Sequence, residues 1–215
     1  MTDPITINAH SSIRLALGEV LYFDPFHIQK ETKDADIIFV THDHYDHFSP
    51  EDIEKILKED TVFVAPQSTV ALIETRFSWP KDQIVTVKPG SKVVVKGLPV
   101  EAVAAYNPNK HFHPKKEGWV GYVVTVEGVR YYVCGDMDSN KEGRQVSCDV
   151  LLVPCGGTYT MDVQEAAEFT GVLAPKFAIP THYGDIVGDL SNGSAFAEAV
   201  KKTSPDTKVV IKIEP

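Results

Sequence analysis

The sequence predicts an α/β fold in which two mixed β-sheets pack face to face and helices cover both outer faces, a four-layer αββα sandwich. Short apolar strand patterns form two blocks, and helical patterns are interleaved with both. A length of 215 residues, with 43% hydrophobic and 24% charged residues, suits one compact domain over residues 1–215. Composition alone fits other α/β arrangements, so the prediction depends on the order of the elements.

The first half predicts a run of strands and then an alternation of helices and strands. Gly18 and Glu19 are typical of a tight turn between two strands. Ser49 as N-cap and Pro50 at the first helical position predict the start of the first helix. The expected elements are strands Ile5 to Ala9, Ile13 to Leu17, Val20 to Asp24 and Ile37 to Thr41, a helix Pro50 to Lys58, a strand Val62 to Ala65, and a helix Gln67 to Phe77.

The second half begins with strands and ends with helices. Glu127 and Gly128 predict a hairpin turn. Asp162 as N-cap with Glu165 three residues later predicts a capping box. The expected elements are strands Ile84 to Val87, Lys92 to Val95, Val100 to Tyr106, Trp119 to Glu127 and Val129 to Cys134, helices Asp162 to Val172 and Ser194 to Lys202, and a strand Lys208 to Ile213.

Three imidazoles and two carboxylates occupy six consecutive positions directly after the apolar strand that begins at Ile37. Residues two apart in an extended segment project to the same face, so His42 and His44 can bind one ion together. Asp46 and His47 can then face a second ion, since imidazole and carboxylate both suit zinc. The alternative is a polar turn or surface chelate rich in histidine, but the preceding strand and the following helix favour a metal site.

The pattern His42-x-His44-x-Asp46-His47 resembles the signature of the metallo-β-lactamase fold superfamily, whose members are mostly binuclear metal hydrolases. Gly-Trp-Val-Gly-Tyr at residues 118–122 and Gly-Gly-Thr-Tyr-Thr-Met-Asp at residues 156–162 resemble a small group of zinc-dependent hydrolases within it. The resemblance extends from residue 5 to about residue 212. It implies the αββα fold and a hydrolase domain, and it says almost nothing about the substrate.

Further ligands are needed, because each ion takes at least three protein ligands and keeps a position for water. Asp136 and His182 follow apolar strands, and His113 lies in a later loop. The resemblance implies two divalent ions, zinc with Mn²⁺ or Fe²⁺ as alternatives, held by His42, His44 and His113, by Asp46, His47 and His182, and by Asp136 as the bridge. Asp136 could instead be a strand-end turn residue. His111 remains open beside His113, although the usual pattern places the histidine just before a proline.

Two residues near the expected site have open roles. Asp24 ends a strand shortly before the histidine-rich loop, where its carboxylate could accept a hydrogen bond from a metal-bound histidine. A turn residue before Pro25 is an equal alternative. His10 could line the pocket, but a structural histidine with satisfied hydrogen bonds is the favoured interpretation.

Two ions in one pocket would supply a bridging hydroxide as nucleophile. We expect Asp46 to orient this hydroxide and take its proton. Tyr159 and Tyr183 are expected to donate hydrogen bonds to the oxyanion that develops. Both tyrosines could equally be packing residues.

The loop from Asn107 to Gly118 carries three lysines in a chain of net charge −9. If Lys110, Lys115 and Lys116 form a patch beside the site, they would steer an anionic substrate towards it. A solvated loop is the favoured interpretation. The expected function is therefore hydrolysis of a small, possibly anionic ester, lactone or phosphodiester.

Two other functions are alternatives to hydrolysis of such a substrate. An iron-dependent redox or dioxygenase protein could use the same fold, although diiron flavoprotein relatives usually carry Glu at the position of His44. A nuclease is disfavoured because the net charge of −9 opposes phosphate binding. We expect a small-molecule substrate, no nucleic-acid or membrane partner and a cytoplasmic location, since neither a secretory signal nor a membrane-length apolar run is seen. The sequence does not assign an oligomeric state.

Overall fold

The computed structural model describes residues 1–213, and its first sheet contains the first six strands in sequence order. These are β1 (Ile5–Ala9), β2 (Ser12–Leu17), β3 (Glu19–Phe23), β4 (Ile37–Phe39), β5 (Val62–Pro66) and β6 (Ile84–Val87). Strand β2 is antiparallel to both β1 and β3, and β3 to β6 run parallel. The carboxyl ends of β3 and β4 therefore lie at one edge of this sheet.

The second sheet contains seven strands in the reverse of sequence order, from β13 to β7. These are β7 (Lys92–Val95), β8 (Leu98–Ala104), β9 (Val120–Val126), β10 (Val129–Val133), β11 (Val150–Pro154), β12 (Phe177–Thr181) and β13 (Lys208–Val209). Strands β10 to β13 are parallel, so β10 and β12 also end at a common edge.

Four α-helices and three short 3-10 turns complete the fold. They are α1 (Pro50–Ile56), α2 (Gln67–Phe77), α3 (Val163–Leu173) and α4 (Ser191–Thr203), with turns at Lys81–Gln83, Lys115–Glu117 and Gly143–Gln145. In residues 1–213, no helix combines the length and the apolar character that a membrane crossing requires.

Three buried apolar clusters separate the four layers. Phe39 and Tyr122 belong to the cluster between the two sheets. Ile53 and Ile73 bring α1 and α2 onto the outer face of the first sheet, and Phe169 brings α3 onto that of the second. A sheet covered on both faces explains why β4 is apolar at every position and fully buried. The predicted αββα sandwich is confirmed.

The motif at residues 118–122 holds the two sheets together beside the site. A side chain at Gly121 would collide with the carbonyl of Cys134, so glycine is required for β9 and β10 to lie this close. The hydroxyl of Tyr122 donates to the carbonyls of Val40 and Val64, at 2.8 and 3.1 Å. One side chain from the second sheet thus binds the backbone of two strands in the first.

The structure corrects several element boundaries. The first helix ends at Ile56, since Leu57 is extended, and the last strand pairs only as far as Val209. Strand β11 was missing from the predicted elements. Helix α4 begins at Ser191 and includes Gly193, where a side chain would collide with the ring of Tyr183. Sequence reasoning placed this start three residues later.

The predicted turn and cap chemistry is largely confirmed. Glu127 and Gly128 both have positive φ, as a tight hairpin requires. Asp162 accepts from the backbone N–H of Glu165 at 2.8 Å, and the capping box is complete. Ser49 is the N-cap of α1, but its hydroxyl donates to Asp52 instead of capping the helix.

Candidate metal centre

The histidine-rich loop leaves β4 at the edge where the two sheets meet. Nε2 of His42 lies 3.1 Å from Nδ1 of His44, as the two-residue alternation predicts. Asp46 and His47 follow the bend, and Nε2 of His47 lies 3.4 Å from Oδ2 of Asp46. The backbone N–H of Val120 donates to the carbonyl of Thr41, which joins this loop to the second sheet.

Asp24 fixes the orientation of two of these histidines. Its carboxylate is buried, accepts from the backbone N–H and the hydroxyl of Thr41 at 2.8 and 2.7 Å, and lies 2.7 Å from Nδ1 of His47. The Thr41 hydroxyl gives its proton to Asp24, so it accepts the Nδ1 proton of His42 at 2.9 Å. Nε2 is therefore the electron-pair donor of His42, and also of His47 when that ring is neutral. These contacts favour the interpretation in which Asp24 orients a candidate metal ligand over the one in which it is only a turn residue before Pro25.

Asp136 follows β10 and stands among four imidazoles. Its Oδ1 lies 3.3 Å from Nε2 of His47, and its Oδ2 lies 3.2 Å from Nε2 of His113 and 3.0 Å from Nε2 of His182. Nε2 of His42 is 4.0 Å away. The carboxylate is 4% exposed and is not a solvated turn residue.

The loop histidine that joins the cluster is His113. It is buried, and its Nδ1 lies 3.2 Å from the carbonyl of Tyr159, so Nε2 is free to face Asp136. Asn107 donates to the same carbonyl at 2.7 Å and holds the two loops together. His111 is exposed to solvent and belongs to none of the clusters.

His182 follows β12 and completes the convergence. A side chain at Gly156 would collide with the carbonyl of His182. Glycine at this position, the first of the motif at residues 156–162, therefore allows the two segments to lie this close. His182, His113 and His10 have φ between 51° and 58°, and Asp24 has φ of 47°. Such left-handed conformations are costly for residues other than glycine, and four of the eleven non-glycine residues that adopt them among residues 1–213 lie at this site.

His10 is the residue that sequence reasoning placed wrongly. Its ring is fully buried, and neither nitrogen has a hydrogen-bond partner in residues 1–213, so it is not a satisfied structural histidine. Nε2 lies 3.4 Å from Oδ2 of Asp46, and the ring centroid is 3.8 Å from that of His182. The signal was its position directly after the predicted strand Ile5 to Ala9.

Three overlapping groups of side chains could each hold a metal ion, with ligand atoms within 4.8 Å of one another. They are His42, His44 and His113; His42, His47 and Asp136; and His10, Asp46, His47 and His182. Buried Nε2 atoms of His47, His113 and His182 lack hydrogen-bond partners among the described residues. Buried polar atoms without partners are rare, and imidazole with carboxylate is a donor set for divalent transition metals. The residues therefore fit a divalent metal ion.

The charges within the cluster favour cation binding. Burial, followed by the neighbouring His47, lowers the pKa of His42 well below its ordinary value and keeps the ring neutral. Burial opposes the charged form of Asp136, yet His182 and His47 hold its pKa well below the usual range. Burial would also lower the pKa of His47, but Asp136 and Asp24 raise it well above the usual value, so this ring must release a proton when it binds a cation.

A cavity of about 280 Å³ opens onto this cluster. It is lined by His44, Tyr45, Asp46, Phe112, His113, Asp136, Tyr159, His182 and Ile186. Tyr159 lies in its wall, as predicted. Tyr45 also lines the cavity, at its mouth. The expectation that Tyr183 donates to an oxyanion is wrong. Its buried ring packs behind the second sheet, and its hydroxyl donates to the carbonyl of Ile213.

The three lysines of the loop from Asn107 to Gly118 do not form a patch beside the site, which was the less favoured interpretation of the sequence. Nζ of Lys110 donates to Asp138 at 2.7 Å and to the carbonyl of Thr160 at 2.6 Å. Nζ of Lys115 donates to Glu142 at 2.7 Å. Lys116 is exposed, and none of the three lines the cavity. Lys110 instead ties the His113 loop to the Asp136 loop.

Fold and site together define a metal hydrolase of the β-lactamase superfamily. The family described as "Beta-lactamase superfamily domain" matches residues 4–182, and the chain belongs to it. A UPF0173 metal-dependent hydrolase of Staphylothermus marinus is 31% identical over 185 residues, 84% of this chain and 76% of that protein. Within the superfamily, the chain belongs with the UPF0173 metal-dependent hydrolases.

Two further comparisons agree with this assignment. A UPF0173 metal-dependent hydrolase of Sulfurisphaera tokodaii is 32% identical over 153 residues, which span 68% of this chain and 65% of that protein. A crystal structure of a Parabacteroides distasonis protein, 27% identical, superposes with a TM-score of 0.79 over 98% of this chain and 93% of that one.

Proposed function

We propose that this protein is a binuclear metal-dependent hydrolase that cleaves a small ester, lactone or phosphodiester. One observation carries the proposal. Nε2 atoms of His47, His113 and His182 approach the Asp136 carboxylate to between 3.0 and 3.3 Å, yet none makes an aligned hydrogen bond. The Nε2 atoms and the carboxylate oxygens therefore face shared space instead of bonding to each other, which is how metal ligands are arranged.

The proposed ligand sets follow the clusters. The first ion would be held by His42, His44 and His113, and the second by Asp46, His47, His182 and additionally His10, while Asp136 would be shared between them. Zinc suits this donor set, with Mn²⁺ and Fe²⁺ as alternatives.

Two such ions would lower the pKa of a coordinated water and polarise the carbonyl or phosphoryl oxygen of the substrate. The residues supply the rest. Asp46 orients the attacking water and accepts its proton. Tyr159, in the cavity wall, donates a hydrogen bond to the oxygen that gains charge. Asp24 and Thr41 keep the histidine rings in the tautomer that presents Nε2.

The proposal is tested with protein that has been stripped by a chelator and reloaded separately with Zn²⁺, Mn²⁺ or Fe²⁺. We expect about two ions per chain by mass spectrometry. Hydrolysis of 4-nitrophenyl acetate, γ-butyrolactone or bis(4-nitrophenyl) phosphate should be lost on chelation and restored on reloading. Activity that survives chelation would overturn the proposal, as would native protein filled with iron that hydrolyses none of the three.

The proposed partner is a small molecule and not a nucleic acid. A net charge of −9 opposes phosphate-backbone binding, and all three lysines of the loop near the site are already paired with carboxylates.

A further inference from the structure

Apolar side chains surround the mouth of the cavity. In residues 1–213, eight large apolar side chains are exposed, and three of them line this one cavity: Tyr45 at 68%, Phe112 at 47% and Ile186 at 37%. Tyr159 completes the rim, with its ring 4.8 Å from that of Phe112 in an edge-to-face contact. We call these four residues the apolar collar. Exposed apolar groups concentrated at one opening indicate a binding surface.

The collar is held in a fixed relation to the candidate metal ligands. Tyr45 stands between His44 and Asp46 in the sequence, and Phe112 directly precedes His113. The carbonyl of Tyr159 accepts hydrogen bonds from Asn107 and His113. A group that contacts the collar is therefore placed directly beside the ligand atoms.

The cavity offers no protein cation to an anionic group. Its lining contains no lysine or arginine, and its charged residues other than histidine are the carboxylates of Asp46 and Asp136. The two lysines nearest to His113 in the sequence are also engaged elsewhere: Lys110 donates to Asp138 and to the carbonyl of Thr160, and Lys115 donates to Glu142. A volume of about 280 Å³ is at the small end for ligand pockets.

We propose that the collar binds a neutral, apolar acyl group, aromatic or short and branched, so that the substrate is an uncharged ester or lactone. This inference rests on the proposed hydrolase function and narrows its substrate class. The collar removes the apolar group from water, while the hydrogen-bonding groups and ligands below it meet the carbonyl.

The test compares two esters with the same leaving group, 4-nitrophenyl phenylacetate and mono-4-nitrophenyl succinate. The zinc-loaded protein should show a kcat/KM about tenfold or more in favour of the phenylacetate. Phe112→Ala should reduce this preference about tenfold without changing metal content. Val94→Ala, which truncates an exposed apolar side chain on β7 outside the cavity, should leave both values unchanged.

A binding measurement separates this inference from the hydrolase proposal. Phenylacetone, a neutral aromatic ketone that cannot be hydrolysed, should bind the zinc-loaded protein and lose affinity in Phe112→Ala but not in Val94→Ala. Binding of this kind without any ester hydrolysis would sink the hydrolase proposal and leave the collar supported. Equal binding by both variants, or a preference for the succinate ester, would overturn the collar.

Discussion

Oδ2 of Asp24 lies 2.7 Å from Nδ1 of His47, although the two residues come from different strand ends of the first sheet. Nδ1 carries the proton that the carboxylate accepts. Nε2 is therefore the nitrogen that faces Asp46 and Asp136. A residue outside the candidate ligand set thus decides which nitrogen of His47 is offered to a cation.

Asp24→Asn is expected to weaken metal binding about 10- to 100-fold, because the amide can present its N–H₂ to Nδ1 and favour the wrong tautomer. Chelator competition against the wild-type protein measures the change. Asp206→Asn, an exposed position near β13, serves as the control. Unchanged affinity in Asp24→Asn would show that Asp24 only supports the backbone of Thr41.

Asp136→Ala should lose most of the bound metal and nearly all turnover while the fold survives. The substitution removes the carboxylate that faces His47, His113 and His182. Metal content by mass spectrometry and circular dichroism check the two parts. Full metal content with near-normal hydrolysis would remove Asp136 from the bridging position.

His113→Ala and His111→Ala form a matched pair, since one histidine is buried in the cluster and the other is exposed two residues away. We expect the first variant to lose about one of two bound ions and the second to lose none. The ratio of metal to protein after gel filtration measures this. Loss of metal in His111→Ala alone would reverse the assignment.

His10→Ala tests whether the unpartnered ring takes part in holding the second ion. Its Nε2 belongs to the same group as Asp46, His47 and His182. We therefore expect the affinity for one of the two bound ions to fall about tenfold or more. The readout is a two-site fit to zinc titrations, with His111→Ala as control. Identical titrations for the two variants would assign His10 to packing.

Asp52→Asn tests a pH-dependent contribution to stability away from the site. Asp52 accepts from the backbone N–H groups of His27 and Ile28 and from Lys55. Burial alone would raise its pKa, but Lys55 and Ser49 lower the pKa below the ordinary value. The charged form therefore stabilises the folded protein above the unfolded pKa of about 4, and this contribution is lost as the pH falls through the folded pKa.

Near pH 7, Asp52→Asn should lower the free energy of unfolding by about 1–3 kcal/mol. The difference from wild type should shrink below about pH 4. Urea denaturation of the metal-free proteins at several pH values measures it. A difference that stays constant with pH would mean that the carboxylate charge contributes nothing.

Local patterns predicted much of the fold and of the site. Alternation placed His42 and His44 on one face, and the strand-end positions of Asp136 and His182 brought them to the same edge. The capping box at Asp162 was equally local. These signals act over a few residues, so the sequence displays them directly.

The errors concern contacts between distant segments. The site of His10 is formed only when β1 brings it against Asp46 and His182. Tyr183 follows His182, yet the backbone turn directs its ring behind the sheet towards α4. Lys110 finds Asp138 and Thr160 across a loop contact that charge counting does not show.

The hydroxyl of Tyr122 fastens the carbonyls of Val40 and Val64 from the opposite sheet. Of the candidate ligands, five follow strands of the first sheet and three lie in loops of the second sheet. Their convergence therefore depends on how the two sheets are packed, and a substitution deep between the layers is expected to alter metal binding without touching a ligand.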